Sequence, residues 1–233
     1  VSKEIILITG ASRGIGRALA EKLAIMGYHV VLTGRKLDVL EKIKKTIESQ
    51  SGSADILPLD VTSRQEIQRA RDFISQKFKR LDCLINNAGI LNESQMNIVN
   101  LTEDSLSKSL QTNSLGPLIL MQEFLPLLKI SKNPRIINIS SGMGAISEMG
   151  SEYPAYRISK AVLNVMTILF HHEVIPFGIR VNAVCPGWVR TDMGGPSATR
   201  SLDEGIKGIL FLVQLPKDGP SGKSFRDGQV IPW

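Results

Sequence analysis

Tyr156 and Lys160 stand four residues apart in YRISK, and two serines, Ser140-Ser141, precede them. Residues i and i+4 share a helix face, so the phenol and the amine project together. A free tyrosine titrates near ~10, too high to exchange a proton efficiently around neutrality. A neighbouring ammonium favours the phenolate, and lowering that pKa by about two to three units requires ~3–4 kcal/mol of differential interaction. Such a pair can protonate a carbonyl oxygen during reduction or take the proton of an alcohol during oxidation, with Lys160 tuning Tyr156. A serine hydroxyl beside it gives the developing negative charge a second donor. Strand alternation sends the side chains of Ser140 and Ser141 to opposite faces, so only one can serve. Tyr153 is a decoy, because Arg157 and not lysine follows it four residues later.

A partner for that chemistry is written near the start of the chain. Thr9–Gly16 reads TGASRGIG, directly after an apolar run. Gly10, Gly14 and Gly16 permit a tight turn and let backbone amides, with Ser12, Arg13 and Ile15 among them, approach a pyrophosphate at a helix N-terminus. No Gly-Lys-Ser/Thr follows, so the turn is not a P-loop. Enzymes of this kind that prefer NAD place an acid at the end of the second strand for the ribose hydroxyls. Here that position is Gly34, followed by Arg35 and Lys36, with Arg13 inside the glycine turn. Two guanidinium groups suit a 2′-phosphate, so the expected cofactor is NADP(H).

The elements that must hold these groups follow from hydrophobic patterning. Short, mostly β-branched or leucine-rich runs at Ile5–Thr9, His29–Thr33, Ile56–Leu59, Cys83–Asn86, Ile136–Ser140 and Arg180–Val184 read as parallel strands covered on both faces. Between them, Gly16–Met26, Leu37–Glu48 and Gln65–Phe78 carry helical spacing. Strand alternating with helix predicts an α/β chain: a single-domain, doubly wound Rossmann fold over residues 1–233. Its parallel sheet has about seven strands, with helices on both faces. Gly- and Pro-rich stretches at Pro186–Pro196 and Pro216–Gly222 read as loops at the ligand-binding end of the sheet.

Composition narrows the function classes. The chain has 233 residues, 42% hydrophobic and 21% charged, which fits one folded α/β domain. Its formal charge of +6 is dispersed and its aromatic content is 5%, which argues against a nucleic-acid partner. No apolar run reaches the ~18 residues of a membrane span, and the glycine turn comes too early for a signal peptide, so a cytoplasmic protein is expected. Cys83 and Cys185 do not make a disulfide scaffold. His171-His172-Glu173 does not read as a metal site, since adjacent helix residues diverge by ~100°; no metal is expected. Cys185 lies close to the proposed cofactor and could meet electrophiles, although a small buried hydrophobe is the favoured reading.

The spacing GxxxGxG, NNAG at Asn86–Gly89, YxxxK at Tyr156–Lys160 with Ser140-Ser141 upstream, and Pro186-Gly187 with Thr191 four residues on occur in one order across nearly the whole chain. In this the chain resembles the short-chain dehydrogenase/reductase family. The resemblance implies that Asn87, Ala88 and Gly89 line the cofactor cleft, that Asp60 and Val61 meet the adenine, and that Pro186, Gly187, Val189 and Thr191 lie along the cofactor. It implies that Lys160 also holds the ribose hydroxyls, that Ser141 is the serine beside the carbonyl, and that Asn113 in LQTNSLG supports a water joining the lysine to solvent. Asn113 could also simply bond backbone at a bend. The stretch CPGWVRTDMGGPSATRSLDEG, the late GPSGK and Trp233 are similar to the carbonyl-reductase subgroup, which reduces aldehydes, ketones and quinones with NADPH.

One departure stands out. Only fourteen residues separate Ser141 from Tyr156, so the long insertion that keeps well-known members monomeric is missing. The apolar Ala161–Phe170 is then free for a partner, and a homodimer or homotetramer is expected. A short substrate loop, about 188–204, suggests an open cleft. The rival readings are a 3-oxoacyl-thioester reductase, which uses the same machinery, and an NADPH-sensing regulator without turnover.

Overall fold

The computed structural model describes residues 3–93 and 97–233. The chain alternates strand and helix from the first element: β1 (Ile5–Ile8), α1 (Gly14–Ile25), β2 (His29–Gly34), α2 (Leu37–Ser49), β3 (Ser53–Pro58), α3 (Arg64–Phe78) and β4 (Cys83–Asn86). It continues through α4 (Glu103–Leu110), α5 (Gly116–Leu128), β5 (Arg135–Ile139), α6 (Pro154–Val174), β6 (Arg180–Val184), α7 (Leu202–Gln214), β7 (Ser224–Arg226) and β8 (Gln229–Ile231). The sheet runs β3-β2-β1-β4-β5-β6-β7-β8. Its first seven strands are parallel, as expected; an eighth, β8, pairs antiparallel with β7. The order reverses between β1 and β4, which opens a crevice beyond their carboxyl ends.

Alternation along each strand divides the core into two layers. Ile6 and Ile8 face α1, α2 and α7 through Leu19, Leu23, Leu40, Ile43 and Ile209. Ile5 and Leu7 face α3, α5 and α6 through Ile67, Ile74, Leu120, Phe124 and Val174. Each fully buried Leu or Ile side chain contributes roughly 1.5–3 kcal/mol relative to exposure, so the uninterrupted apolar strands are what fixes the sheet centrally.

Helix starts follow local sequence. Ser63 caps α3 by accepting from the Glu66 amide, and Ser201 with Glu204 forms a reciprocal capping box on α7. The α1 N-cap, Arg13, supplies no side-chain acceptor, so the first-turn amides of that helix face the crevice unspent. Between α4 and α5 the helix widens into one π-helical turn, Gln111–Leu115, around Asn113. Among the described residues, no helix is long and apolar enough to cross a membrane.

Candidate active site

A cleft of about 1310 Å³ runs along the carboxyl ends of the strands, from the glycine turn to the N-terminal half of α6. The end of the cleft at the glycine turn is built by Thr9 and Asn87. The Thr9 hydroxyl accepts from the Asn87 and Ala88 amides at 2.9 and 3.0 Å, and Asn87 Nδ2 donates to the Thr9 and Gly10 carbonyls at 2.7 and 3.2 Å. This knits the turn after β1 to the end of β4. Gly10 has φ +64°, and a Cβ there would stand 2.9 Å from the Ala88 backbone. Only glycine meets both demands. Gly16 does not reach the cleft; a Cβ on it would strike Asn87 Nδ2 and the Gly10 carbonyl at 2.5 Å, so its part is close packing beneath the turn.

Ser12, Arg13, Gly14, Ile15, Arg35, Asp60, Val61, Ala88 and Gly89 all line the cleft. Arg13 Nη1 lies 2.6 Å from Asp192 Oδ2, both largely exposed, so the glycine turn is bonded to the loop after β6. Arg35 lies 4.0 Å from Asp60. Partial burial raises the Asp60 carboxyl, but two hydrogen bonds from Thr62 and the Arg35 charge carry it below its ordinary value. Pro186, Gly187, Val189 and Thr191 form the facing wall. The loop there is tightly folded, with Arg190 N donating to the Arg200 carbonyl at 2.8 Å and Arg200 N to the Trp188 carbonyl at 2.9 Å.

At the other end Tyr156 is 8% and Lys160 4% exposed, one turn apart on α6. Ser140 also borders the cleft, but its hydroxyl donates to Asn164 Oδ1 at 2.6 Å in the core. Ser141 lines the cleft beside Tyr156, where its hydroxyl accepts from the Met143 amide at 3.2 Å and acts to lower the phenol. The alternation of the strand end therefore brings Ser141, not Ser140, to the phenol. The turn after Ser141 is pressed onto α6, since a Cβ at Gly144 would stand 2.8 Å from the Lys160 backbone.

The electrostatics differ from the sequence-based expectation. Burial pushes the Tyr156 phenol up to about 12, against the lowering effect of the Ser141 hydroxyl. Burial also brings the Lys160 amine down to about 8. Lys160 Nζ donates to the Ile139 carbonyl at 2.7 Å and lies 5.6 Å from the Tyr156 ring centroid. Loss of water is the largest influence on the phenol, and Lys160 is not among the groups that lower it in the free protein.

Asn113 is fully buried and does not line the cleft. Its Oδ1 accepts from the Ile90 amide at 2.8 Å, and its Nδ2 donates to the Ile90 carbonyl at 2.9 Å and to Ser159 Oγ at 3.0 Å. It thus clamps the segment after Gly89 to α6. The His171 ring is hydrogen-bonded through Nδ1 to Ser221 at 2.8 Å. Cys185 is buried, its sulfur accepting from the Gly142 amide at 3.1 Å.

Two groups in or behind the cleft were not among the expected site residues. Arg226 enters from β7, with Nη2 3.5 Å from Cys185 Sγ and 3.7 Å from Glu148. Glu93 lies behind the wall and accepts from the Ala155 and Tyr156 amides. The Asp227-Gly228 dipeptide was a readable hairpin signal for the first; nothing local marks the second.

These residues fit a bound dinucleotide: an uncapped helix N-terminus, a glycine turn with no room for a side chain, and the cationic side chains of Arg13 and Arg35 in the same cleft. A family model described as short chain dehydrogenase matches residues 4–201. The chain belongs to the short-chain dehydrogenase/reductase family. This family member is therefore an oxidoreductase. It is similar to (+)-neomenthol dehydrogenase of Arabidopsis thaliana, 31% identical with 96% of each chain covered. That alignment spans 286 positions, more than the 233 residues here, so the relative carries residues this chain lacks. It is also similar to the fatty acyl-CoA reductase of Acinetobacter baylyi, 35% identical over 93% of this chain and 75% of that one. Among solved structures it resembles the NADPH-bound carbonyl reductase from chicken fatty liver, with TM-score 0.90, 32% identity and all of both chains covered.

Proposed function

We propose that this family member is an NADPH-dependent carbonyl reductase acting on ketones and aldehydes. The observation that carries the reading is the meeting of the Ser141 and Tyr156 side chains in the cleft, with Lys160 one helical turn below and the uncapped start of α1 at the opposite end. The bound cofactor would supply the hydride that reduces the carbonyl carbon. Ser141 and Tyr156 both donate to the carbonyl oxygen, and Tyr156 gives up its proton as negative charge develops there. A phenol held up to about 12 is fully protonated at neutral pH, the form needed by a general acid. Lys160 holds the ribose hydroxyls and attracts the phenolate left behind. Asn113 holds the wall at Gly89, where a Cβ would stand 3.7 Å from Lys160 Nζ. Arg13 and Arg35 take the 2′-phosphate.

The two serines give a paired test. Ser141→Ala is expected to lower kcat by about 10²-fold, as loss of one donor to a developing oxyanion does. Ser140→Ala, which opens only the bond to Asn164, should leave kcat near wild type and lower Tm. Equal kcat losses would reject the assignment.

The substrate class is tested by NADPH oxidation against aryl ketones, quinones, acyl thioesters and sugars. Ketones and quinones are the expected substrates. A thioester preferred by orders of magnitude would instead favour the acyl-thioester reading, to which the Acinetobacter relative lends weight.

The outward face of α6 presents Val165 at 55% and Leu169 at 61% exposure. This supports a homodimer or homotetramer in which a second copy covers that face. Light scattering at micromolar concentration should give at least twice the 25.6 kDa chain mass; a monomer would defeat the proposal.

A further inference from the structure

α6 carries both Tyr156 and Lys160, yet its start lacks an ordinary cap. Its N-cap is Tyr153, in the left-handed region at φ +56°, with no side-chain hydrogen bond, and Pro154 follows. The first-turn amides of a helix need acceptors from elsewhere. They find them 62 and 63 residues back in the chain: Glu93 Oε2 accepts from Ala155 N at 3.1 Å, and Oε1 from Tyr156 N at 2.7 Å. Glu93 is 4% exposed. A buried carboxylate is costly unless its oxygens are satisfied, and these lie at the positive end of a 21-residue helix.

The other side of Tyr156 is held as well. Its carbonyl accepts from Ser159 Oγ at 2.8 Å, and Ser159 Oγ accepts from Asn113, which grips both backbone groups of Ile90. Ile90, Leu91 and Asn92, between that grip and Glu93, line the cleft. The substrate-facing wall and the proton donor are therefore one hydrogen-bonded unit, tied at Ile90 and again at Glu93.

We propose that Glu93 is a positioning residue that fixes the reach of the Tyr156 hydroxyl toward the substrate by holding the Tyr156 and Ala155 amides. The inference rests on the carbonyl-reductase reading. A helix cap alone would alter stability and leave the chemistry at its normal rate. A positioning role works through Tyr156, and a misplacement of about 1 Å can cost about 10²-fold in rate.

The test uses the whole chain, with Glu93→Ala and Glu93→Gln made singly and in a Tyr156→Phe background. It reads ketone kcat and KM, NADPH Kd and Tm. Glu93→Ala is expected to lower kcat roughly 10–100-fold with NADPH Kd within about twofold of wild type. Glu93→Gln, which keeps one acceptor oxygen, should recover most of that loss. In the Tyr156→Phe background Glu93→Ala should add no further loss, since both act through one hydroxyl. Should Glu93→Ala not fold, Glu93→Asp serves in its place: its shorter carboxylate withdraws from the amides, and a lowered kcat with normal NADPH Kd is expected. The proposal is overturned by an unchanged kcat in the folded variant, by kcat and NADPH affinity falling together, or by full additivity with Tyr156→Phe. If Tyr156→Phe itself turns over ketone normally, the reductase reading fails. If that variant is inactive while Glu93→Ala is normal, only the role of Glu93 fails.

Discussion

Tyr156→Phe is expected to lower kcat for ketone reduction by about 10²–10⁴-fold while NADPH Kd stays within a few-fold of wild type. The substitution deletes one hydroxyl and keeps the ring that fills its buried place on α6. Loss of turnover with binding retained separates catalysis from cofactor sensing, because a sensor would lose nothing. The pH profile sharpens the assignment. Reduction needs the phenol protonated, and with its value pushed up to about 12 it stays so throughout the neutral and mildly alkaline range. An alkaline decline in kcat/KM at lower pH must come from another group. Lys160, brought down to about 8 by burial, loses its positive charge as pH rises through that value and then no longer attracts the phenolate formed in the reaction. We expect kcat/KM for NADPH to decline above about pH 8 in wild type, and the decline to vanish in a slower Lys160→Met variant. A decline that survives in Lys160→Met would refute that origin.

Removing the cationic side chains of both Arg13 and Arg35 from the cleft is expected to have the second large effect. Charge-assisted hydrogen bonds contribute about 1.5–3 kcal/mol each, so Arg13→Ala with Arg35→Ala should raise KM for NADPH by about 10²-fold or more. KM for NADH, which lacks the 2′-phosphate, should change by only a few-fold. Arg13 now holds Asp192 at 2.6 Å, but that pair is mostly exposed and worth about 0–1 kcal/mol, so a phosphate competes for it readily. Gly34 leaves no carboxylate to read ribose hydroxyls in exchange. Equal or better use of NADH by the wild-type protein would overturn the expected cofactor preference.

Much of this was legible in the residues, for identifiable reasons. β1 and β4 are buried on both faces, so their largely apolar runs were sufficient, whereas β6 also buries Arg180 and Asn182. β3 begins three residues earlier than its apolar pattern, at Ser53, because the edge pairing there is sealed by polar contacts. His29 Nδ1 is 2.7 Å from Ser53 Oγ, and His29 Nε2 3.0 Å from Asp55. β1 ends one residue early, at Ile8, where the chain enters the turn at Gly10 with φ +64°. β7 and β8 have three residues each, too few for periodicity, although Asp227 and Gly228 at φ +53° and +78° are the turn residues such a hairpin needs. Alternation at Ser140-Ser141 predicted that the two side chains would part, and the Ser140 hydroxyl is indeed taken up by Asn164. The relative pKa values of Tyr156 and Lys160 were not legible, since they depend on how deeply the fold buries both. Glu93 was not legible either, because its partners lie across a tertiary contact.

The two-layered core also bears on how such a chain can change length over generations. Ile5 and Leu7 of β1 face one helical layer while Ile6 and Ile8 face the other. Inserting or deleting a single residue there would exchange the two sets and at the same time rotate Thr9 and Gly10 away from Asn87 and Ala88. Substitution within the strand is tolerable; a frame change is not. Gains and losses of residues are borne by connections outside the sheet, and the stretch between Ser141 and Tyr156 is such a connection, open to growth without disturbing the strand that delivers the serine.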